Sequence, residues 1–230
     1  MITLLRLVLC CFILFLLAFP LSAVDLNLGA ATWYSWWEME SDSSKQTIDP
    51  TFLVGPVVSL GFSEHWNLSM VFLYGRLVMD EDGGNNDINR LDSDISINYV
   101  MNNYLKIFGG IKAMGYYWDQ GHHHSLGPAL GIGLTIPIYG NYYFLGNISG
   151  MYNYGEHQDD DNESGNERRS IIREYGFNST VSLAYYIESA STTVSIGGRY
   201  QYFRDDYELE QSEDQDLRFY GITLSVVYSF

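Results

Sequence analysis

Two short stretches of the sequence together supply the acidic residues and the histidine that could activate water. The first is Asp92-Ser-Asp94, in which two carboxylates are separated by one residue. The second is Glu156-His157-Gln158-Asp159, in which a histidine lies among polar and acidic residues. A carboxylate pair can hold a water molecule while a histidine removes its proton as a general base. Asp92, Asp94 and His157 are therefore the candidates for a hydrolytic site.

A run of three histidines, Gly121-His-His-His-Ser125, could bind a transition metal. Consecutive side chains of an extended segment point in opposite directions, so at most two of the three histidines can converge on one ion. The acidic run Asp159-Asp-Asp161 offers oxygen ligands that suit Ca²⁺ or Mg²⁺. Surface residues of these types are common without an ion, so we predict no metal site and no cofactor. The weak candidates are His122, His123, His124, Asp159, Asp160 and Asp161.

The elements that carry these residues have the periodicity of strands. After residue 23 the sequence has no helical periodicity, and segments of about 10–14 residues alternate between an apolar face and a small or polar face. In the last segment, Ile222, Leu224 and Val226 share one parity with Tyr228 and Phe230. The pattern predicts ten strands, with eight or twelve as alternatives. They lie at about 25–37, 51–62, 66–79, 90–101, 104–118, 125–139, 142–154, 174–187, 192–204 and 217–230.

The predicted connections alternate between short and long. Four are tight, at 63–65, 102–103, 140–141 and 188–191. Five are longer and mostly acidic, at 38–50, 80–89, 119–124, 155–173 and 205–216. Short turns at one end and long hydrophilic loops at the other are typical of a transmembrane β-barrel. An even number of strands also puts both chain termini at the short-turn, periplasmic end.

The aromatic composition favours the same architecture. The sequence contains 19 Tyr, 12 Phe and 5 Trp, and they cluster near the ends of the predicted strands, as aromatic girdles do. The alternative is a soluble β-sandwich, whose strands would need a second apolar face to pack against. The inward parity of the sixth strand has only small residues such as Gly127, Ala129 and Gly131. We therefore predict an all-β, ten-stranded antiparallel transmembrane barrel.

If the parity of Phe230 faces lipid, the complementary residues face the lumen. Charges at mid-strand, such as Lys112 and Arg199, are costly there unless they are paired or hydrated. Ten strands lie near the size at which side chains fill a barrel. We predict a largely filled polar lumen, with a narrow, weakly cation-selective channel as the alternative. The predicted lumen network comprises Arg90, Asp92, Asp94, Lys106, Lys112, Asn147, Tyr186, Arg199 and Gln201.

The N-terminal 23 residues have the pattern of a cleaved secretory signal peptide. Arg6 precedes an apolar run over 7–19, and Leu21-Ser-Ala23 ends it with small residues. Both cysteines, Cys10 and Cys11, lie in this segment. Residues 24–230 then form a single domain. The formal net charge of −16 argues against nucleic acid as a partner.

The C-terminal strand resembles the assembly signal of Gram-negative outer-membrane β-barrel proteins. The resemblance rests on Phe230 at the end of the chain, with Tyr228, Val226 and Leu224 on the same parity. It implies location in the cell outer membrane. It also implies contact with the barrel-assembly machinery, outer-membrane lipid and lipopolysaccharide. The class includes pores, enzymes and adhesins, so neither a solute nor an oligomeric state follows from it.

Ten strands, an inward Asp92-Ser-Asp94 after the second outer loop and His157 with Asp159 in the fourth resemble the omptin family of outer-membrane proteases. In that family an acidic pair and an Asp-x-His pair flank the attacking water. Here His157 precedes the acidic residue instead of following it. We therefore expect a structural or surface-interaction barrel without catalysis, and an omptin-like hydrolase at the outer rim is the remote alternative.

Overall fold

The computed structural model describes residues 25–41, 44–81, 84–119, 121–161, 166–208 and 214–230. Within these residues no helix is long and apolar enough to cross a membrane. The predicted signal peptide, 1–23, lies outside them. The strands are β1 (Asp25–Ser41), β2 (Lys45–Gly61), β3 (Trp66–Glu81), β4 (Gly84–Val100), β5 (Leu105–Trp118), β6 (Gly121–Tyr139), β7 (Tyr142–Asp161), β8 (Asn166–Ile187), β9 (Thr192–Tyr207) and β10 (Gln215–Ser229).

The ten strands form a closed antiparallel barrel. Each strand pairs with its neighbour in the sequence, and β1 closes the ring by pairing with β10 from Asn27–Ser229 to Ser41–Gln215. Closure leaves no strand edge without a partner, which lets a sheet satisfy its backbone hydrogen bonds in lipid. The prediction of a ten-stranded antiparallel barrel is confirmed.

The strands extend further than predicted at the end of the barrel opposite the tight turns, which we call the outer end. β1 runs to Ser41 and β2 begins at Lys45, although the sequence predicts a loop over 38–50. The outer connections are therefore shorter than predicted. The reason is that polar hairpin residues above an apolar band still pair their backbones. Cross-strand ion pairs such as Arg218–Glu40, at 2.6 Å, support them.

The outward surface consists of an apolar band between two aromatic rings. Mid-strand residues such as Leu130 and Ile132 are exposed, as lipid-facing residues must be. The ring at the turn end includes Trp66, Tyr104, Tyr139, Tyr142, Tyr185 and Tyr228, and the outer ring includes Phe52, Tyr74, Tyr117, Tyr152, Tyr154 and Tyr175. Beyond the outer ring the outward residues become charged, as at Arg173 and Arg204. We take the strand segments between the rings as the membrane-spanning part.

The band makes a depth-dependent prediction. Ile132 lies at mid-band and Ile171 lies beyond the outer ring, and their exposures are similar at 47% and 41%. We expect Ile132→Arg to lower the free energy of unfolding in bilayers by about 2–4 kcal/mol and Ile171→Arg by at most about 1 kcal/mol. Urea unfolding of the two variants measures the difference. Equal losses would contradict the assignment of the band to lipid.

Candidate functional site

From mid-strand to the outer end, the lumen contains a large apolar cluster. Trp33 and Phe219 are fully buried, and the ring of Trp37 lies 5.3 Å from that of Phe219. The prediction of a largely polar lumen is wrong for this part, because the inward residues of β1, β3 and β10 are large and apolar although those of β6 are small. We call the cluster the aromatic plug. It comprises Trp33, Trp37, Ile48, Leu53, Leu73, Leu77, Ile88, Met114, Tyr116, Met151, Phe203, Leu217 and Phe219.

Arg90 places a positive charge within the aromatic plug. Its side chain is fully buried, and its guanidinium carbon lies 3.7 Å from the ring centroid of Phe219 and 4.9 Å from that of Trp33. Arg90 Nη2 donates to Gln201 Oε1 at 3.0 Å, while Nε and Nη1 have no hydrogen-bond acceptor within the described part of the chain. The aromatic faces therefore supply much of the stabilisation of this cation.

Asp92 is the centre of an ionic network beside the plug. Lys112 Nζ donates to Asp92 Oδ1 at 2.6 Å, and Arg199 Nη2 donates to the same oxygen at 3.1 Å. Asp94 Oδ2 accepts from the same two groups, at 3.1 Å from Lys112 and 3.2 Å from Arg199. Arg90 lies 3.4 Å from the other oxygen of Asp92. Two carboxylates thus share three cations in a site that excludes water from Asp92.

Strand register and barrel closure both create this network. Asp94 and Lys112 are partners in the β4–β5 ladder, so these two side chains meet locally. Arg199 lies on β9, five strands from β4 in either direction around the ring. The contacts Arg199–Asp92 and Arg90–Gln201 therefore connect opposite walls across the lumen. Parity places each residue inward, but only closure brings the two walls together.

A cavity with both polar and apolar lining residues occupies the lumen on the turn side of the network. Its volume is about 330 Å³, and Lys106 and Asn147 line it with many hydroxyl groups, including those of Ser149 and Ser182. Gly133 lies opposite Lys106, and a β-carbon there would collide with the lysine stem. Lys106 and Asn147 thus line the same cavity as Asp94 and Arg199 of the ionic network. Tyr186 lies further towards the turn end of β8, opposite Thr193.

A second polar group, which we call the rim cluster, lies at the outer end of the lumen. It comprises His123, Ser125, Asn153, Glu174 and Asp205. His123 Nε2 lies 2.7 Å from Glu174 Oε1, while Ser125 Oγ and Asn153 Nδ2 donate to Glu174 Oε2. Asp205 is opposite Glu174 in the β8–β9 ladder. Asn153, the ladder partner of Glu174, lies between Tyr152 and Tyr154, so the rim cluster is at the level of the outer aromatic ring.

Asp205 is electrostatically unusual within the rim cluster. Its side chain is fully buried, and neither carboxylate oxygen has a hydrogen-bond partner among the residues that the structure describes. The carboxylate of Glu174 lies close by and adds a second negative charge to the same buried site. A proton or a cation must therefore accompany this carboxylate at neutral pH.

The residues proposed for hydrolysis do not form a water-holding pair. The Asp92 and Asp94 carboxylates bind Lys112 and Arg199, so their oxygens already have strong donors. The ring of His157 packs at 5.6 Å from that of Trp118 and at 5.7 Å from that of Tyr207. The acidic pair thus has the contacts of a structural element.

The metal candidates are separated by strand alternation. His122 and His124 point outward and stack on each other with their ring centroids 5.2 Å apart, whereas His123 points into the lumen. The side chains of Asp159, Asp160 and Asp161 lie outside the described residues.

Sequence reasoning missed Glu174 and Asp205 as site residues. The predicted eighth strand begins at Glu174, and Asp205 is the first residue of a predicted loop. The signal that could have found them is parity: Glu174 shares the parity of the inward Asn178, and Asp205 shares that of Arg199 and Gln201. Parity alone places Glu174 in the lumen, and extending the ninth predicted strand by one residue does the same for Asp205.

Comparison with known proteins supports the fold. No protein-family model and no curated protein matches the sequence. The structure of the outer membrane protease OmpT from Escherichia coli is similar, with 11% identity, 90% of this chain and 97% of that chain covered, and a TM-score of 0.57. The β domain of the Bordetella autotransporter BrkA has 8% identity, covers 90% and 99% of the two chains and has a TM-score of 0.49. The Ail protein of Yersinia pestis has 10% identity, coverage of 89% and 98%, and a TM-score of 0.38. The chain has the fold of a Gram-negative outer-membrane β-barrel.

The ionic network predicts unequal roles for its two carboxylates. Asp92→Asn would leave three buried cations without their shared partner, so we expect a loss of about 3–5 kcal/mol in the free energy of unfolding. Asp94 is 33% exposed, so water can replace part of its contribution and Asp94→Asn should cost less. Urea unfolding of the refolded barrel measures both. A loss for Asp92→Asn no larger than that for Asp94→Asn would contradict the central role of Asp92.

Proposed function

We propose that this chain is a non-conducting outer-membrane β-barrel with a structural or surface-interaction role and no catalysis. The observation that carries the proposal is the filled cross-section of the lumen at Arg90. Arg90, Trp33 and Phe219 are each 0% exposed. A water-filled channel would instead expose inward side chains along its whole length. The plug therefore favours a barrel that does not conduct.

The location of the protein in the outer membrane is part of this proposal. It is supported by the outward apolar band, by its two aromatic rings and by the fold. Export by the predicted signal peptide over 1–23 would bring the chain to the periplasm. Assembly would then involve recognition of the strand that ends at Phe230.

Lipopolysaccharide is a proposed surface partner. Beyond the outer aromatic ring, four outward arginines pair with carboxylates: Arg76 with Asp87, Arg173 with Glu208, Arg204 with Asp214 and Arg218 with Glu40. Exposed pairs of this kind are weak, so lipid phosphates at the same level can compete for the guanidinium groups. Divalent cations could bridge the released carboxylates to the same phosphates.

Two other functions have less support. A narrow channel would have to pass the aromatic plug, although the cavity beside Lys106 offers polar space on the turn side. A hydrolase is suggested by the omptin resemblance, but the likeness to the protease OmpT is one of fold. Asp92 and Asp94 are held by cations in this chain, which does not favour them as a water-binding pair.

The proposal predicts a silent barrel in planar bilayers. Refolded residues 24–230 should give no steady conductance, because the plug closes the lumen. Replacing both Trp33 and Phe219 by alanine removes the rings that contact Arg90 and should produce small conductance steps.

The matched control is the double variant Trp66→Ala, Phe72→Ala, which removes the same two residue types from the outward surface. It should remain silent. Steady steps in the wild-type protein would overturn the proposal in favour of a channel. A silent plug variant would place the closure elsewhere in the lumen.

The assembly proposal is tested by deleting Phe230. We expect a reduced amount of folded, heat-modifiable protein in the outer-membrane fraction, because the terminal aromatic residue of the strand is lost. Phe72→Ala removes another exposed phenylalanine, on β3, and should assemble normally. Equal assembly of the deletion variant and the wild type would contradict a role for Phe230 as a signal.

A further inference from the structure

Three titratable side chains from three strands converge in the rim cluster. His123 lies on β6, Glu174 on β8 and Asp205 on β9. One ligand atom from each lies within 4.8 Å of the other two, and all three side chains are buried. No two of these residues are closer than 31 positions in the sequence, so barrel formation alone brings them together.

The cluster contains two carboxylates, and one of them, that of Asp205, lacks a positively charged partner among the described residues. Glu174 is fully hydrogen-bonded by His123, Ser125 and Asn153. Asp205 points towards the same group with two buried oxygens that have no donor. Burying a carboxylate without a donor or a counterion is expensive, and a bound cation removes this cost. The contrast with Asp92, which has three cations around it, shows how the same barrel balances a buried carboxylate elsewhere.

We propose that the rim cluster binds one divalent transition-metal ion, with His123 Nε2, Glu174 Oε1 and an oxygen of Asp205 as the protein ligands. One imidazole and two carboxylates form a donor set that suits Zn²⁺, with a fourth position for water. Ca²⁺ prefers six to eight oxygen ligands, more than the described residues of the cluster provide. Zn²⁺ is therefore the probe of choice.

The residues around the three ligands support this assignment. Ser125 and Asn153 both bind Glu174 Oε2, which leaves Oε1 directed towards His123. Outer hydrogen bonds of this kind orient a ligating carboxylate. In the metal-free arrangement a hydrogen bond of 2.7 Å joins His123 Nε2 to Glu174 Oε1. An ion bound by both atoms requires them to separate to about 3.3 Å, which small side-chain rotations provide.

The ion would have a structural role at the outer rim. It would join β6, β8 and β9 and neutralise two buried carboxylates at the level of the outer aromatic ring. This role is independent of whether the lumen conducts, so the two proposals can fail separately.

The test is a competition titration of refolded residues 24–230 with Zn²⁺ against a chromophoric chelator. We expect one ion per chain, and a loss of affinity of more than about 100-fold for His123→Ala and for Asp205→Asn. Ser125→Ala should weaken binding by about 10-fold, because it removes a group that orients Glu174. The control is the double variant His122→Ala, His124→Ala, which removes the outward histidine pair and should bind as the wild type does.

Thermal unfolding keeps the test valid if a variant is poorly stable. Zn²⁺ should raise the melting temperature of the wild type and leave that of Asp205→Asn unchanged. In the presence of chelator, Asp205→Asn should melt above the wild type, because it removes an uncompensated buried carboxylate. Absence of Zn²⁺ binding by the wild type would overturn the proposal. So would equal binding by Asp205→Asn, or binding that is lost only in the His122→Ala, His124→Ala variant.

Discussion

Closure of the ten-stranded ring is the constraint on which the rest of this structure depends. Because β1 pairs with β10, every strand has two neighbours. Each side chain of a strand therefore points either outward or into the lumen. The outward side chains form a continuous apolar band. The inward parity must satisfy its charges within a space a few side chains wide. The ionic network and the rim cluster are two solutions to that second requirement.

The two groups balance charge in different ways. At Asp92, cations from β4, β5 and β9 converge on one carboxylate, and the rings of Trp33 and Phe219 complete the environment of Arg90. At the outer end, Glu174 is satisfied by neutral donors and His123, but Asp205 has no donor. The first arrangement balances its carboxylate with cations of the chain itself, and the side chains of Arg90 and Asp92 are buried at this level of the lumen. The second is complete only with a proton or an added cation.

Functional assignment follows from these contacts more than from the fold. The structural likeness to OmpT extends over 90% of the chain, yet the acidic pair that resembles an omptin motif is bound by Lys112 and Arg199. Proteins with this fold have several functions, so the function of one chain must be inferred from the residues of its site. In this chain the burial of Arg90 between Trp33 and Phe219 favours the proposal of a non-conducting barrel. The rim cluster, with Asp205, is the second group of interest.

The sequence by itself favoured ten strands, with eight or twelve as alternatives. It determined the parity of each strand and the inward position of Asp92, Lys112 and Arg199, because period-two alternation is a local property of the chain. The sequence did not determine where the strands end on the outer side, because the polar residues that pair there do not alternate with apolar ones. It also left the aromatic plug unseen, since the small inward residues of β6 were not representative of β1 and β10. Only the tertiary structure decided that Arg199 reaches Asp92 and that His123, Glu174 and Asp205 meet. Those contacts join strands that are distant in sequence, and ring closure sets which walls face each other.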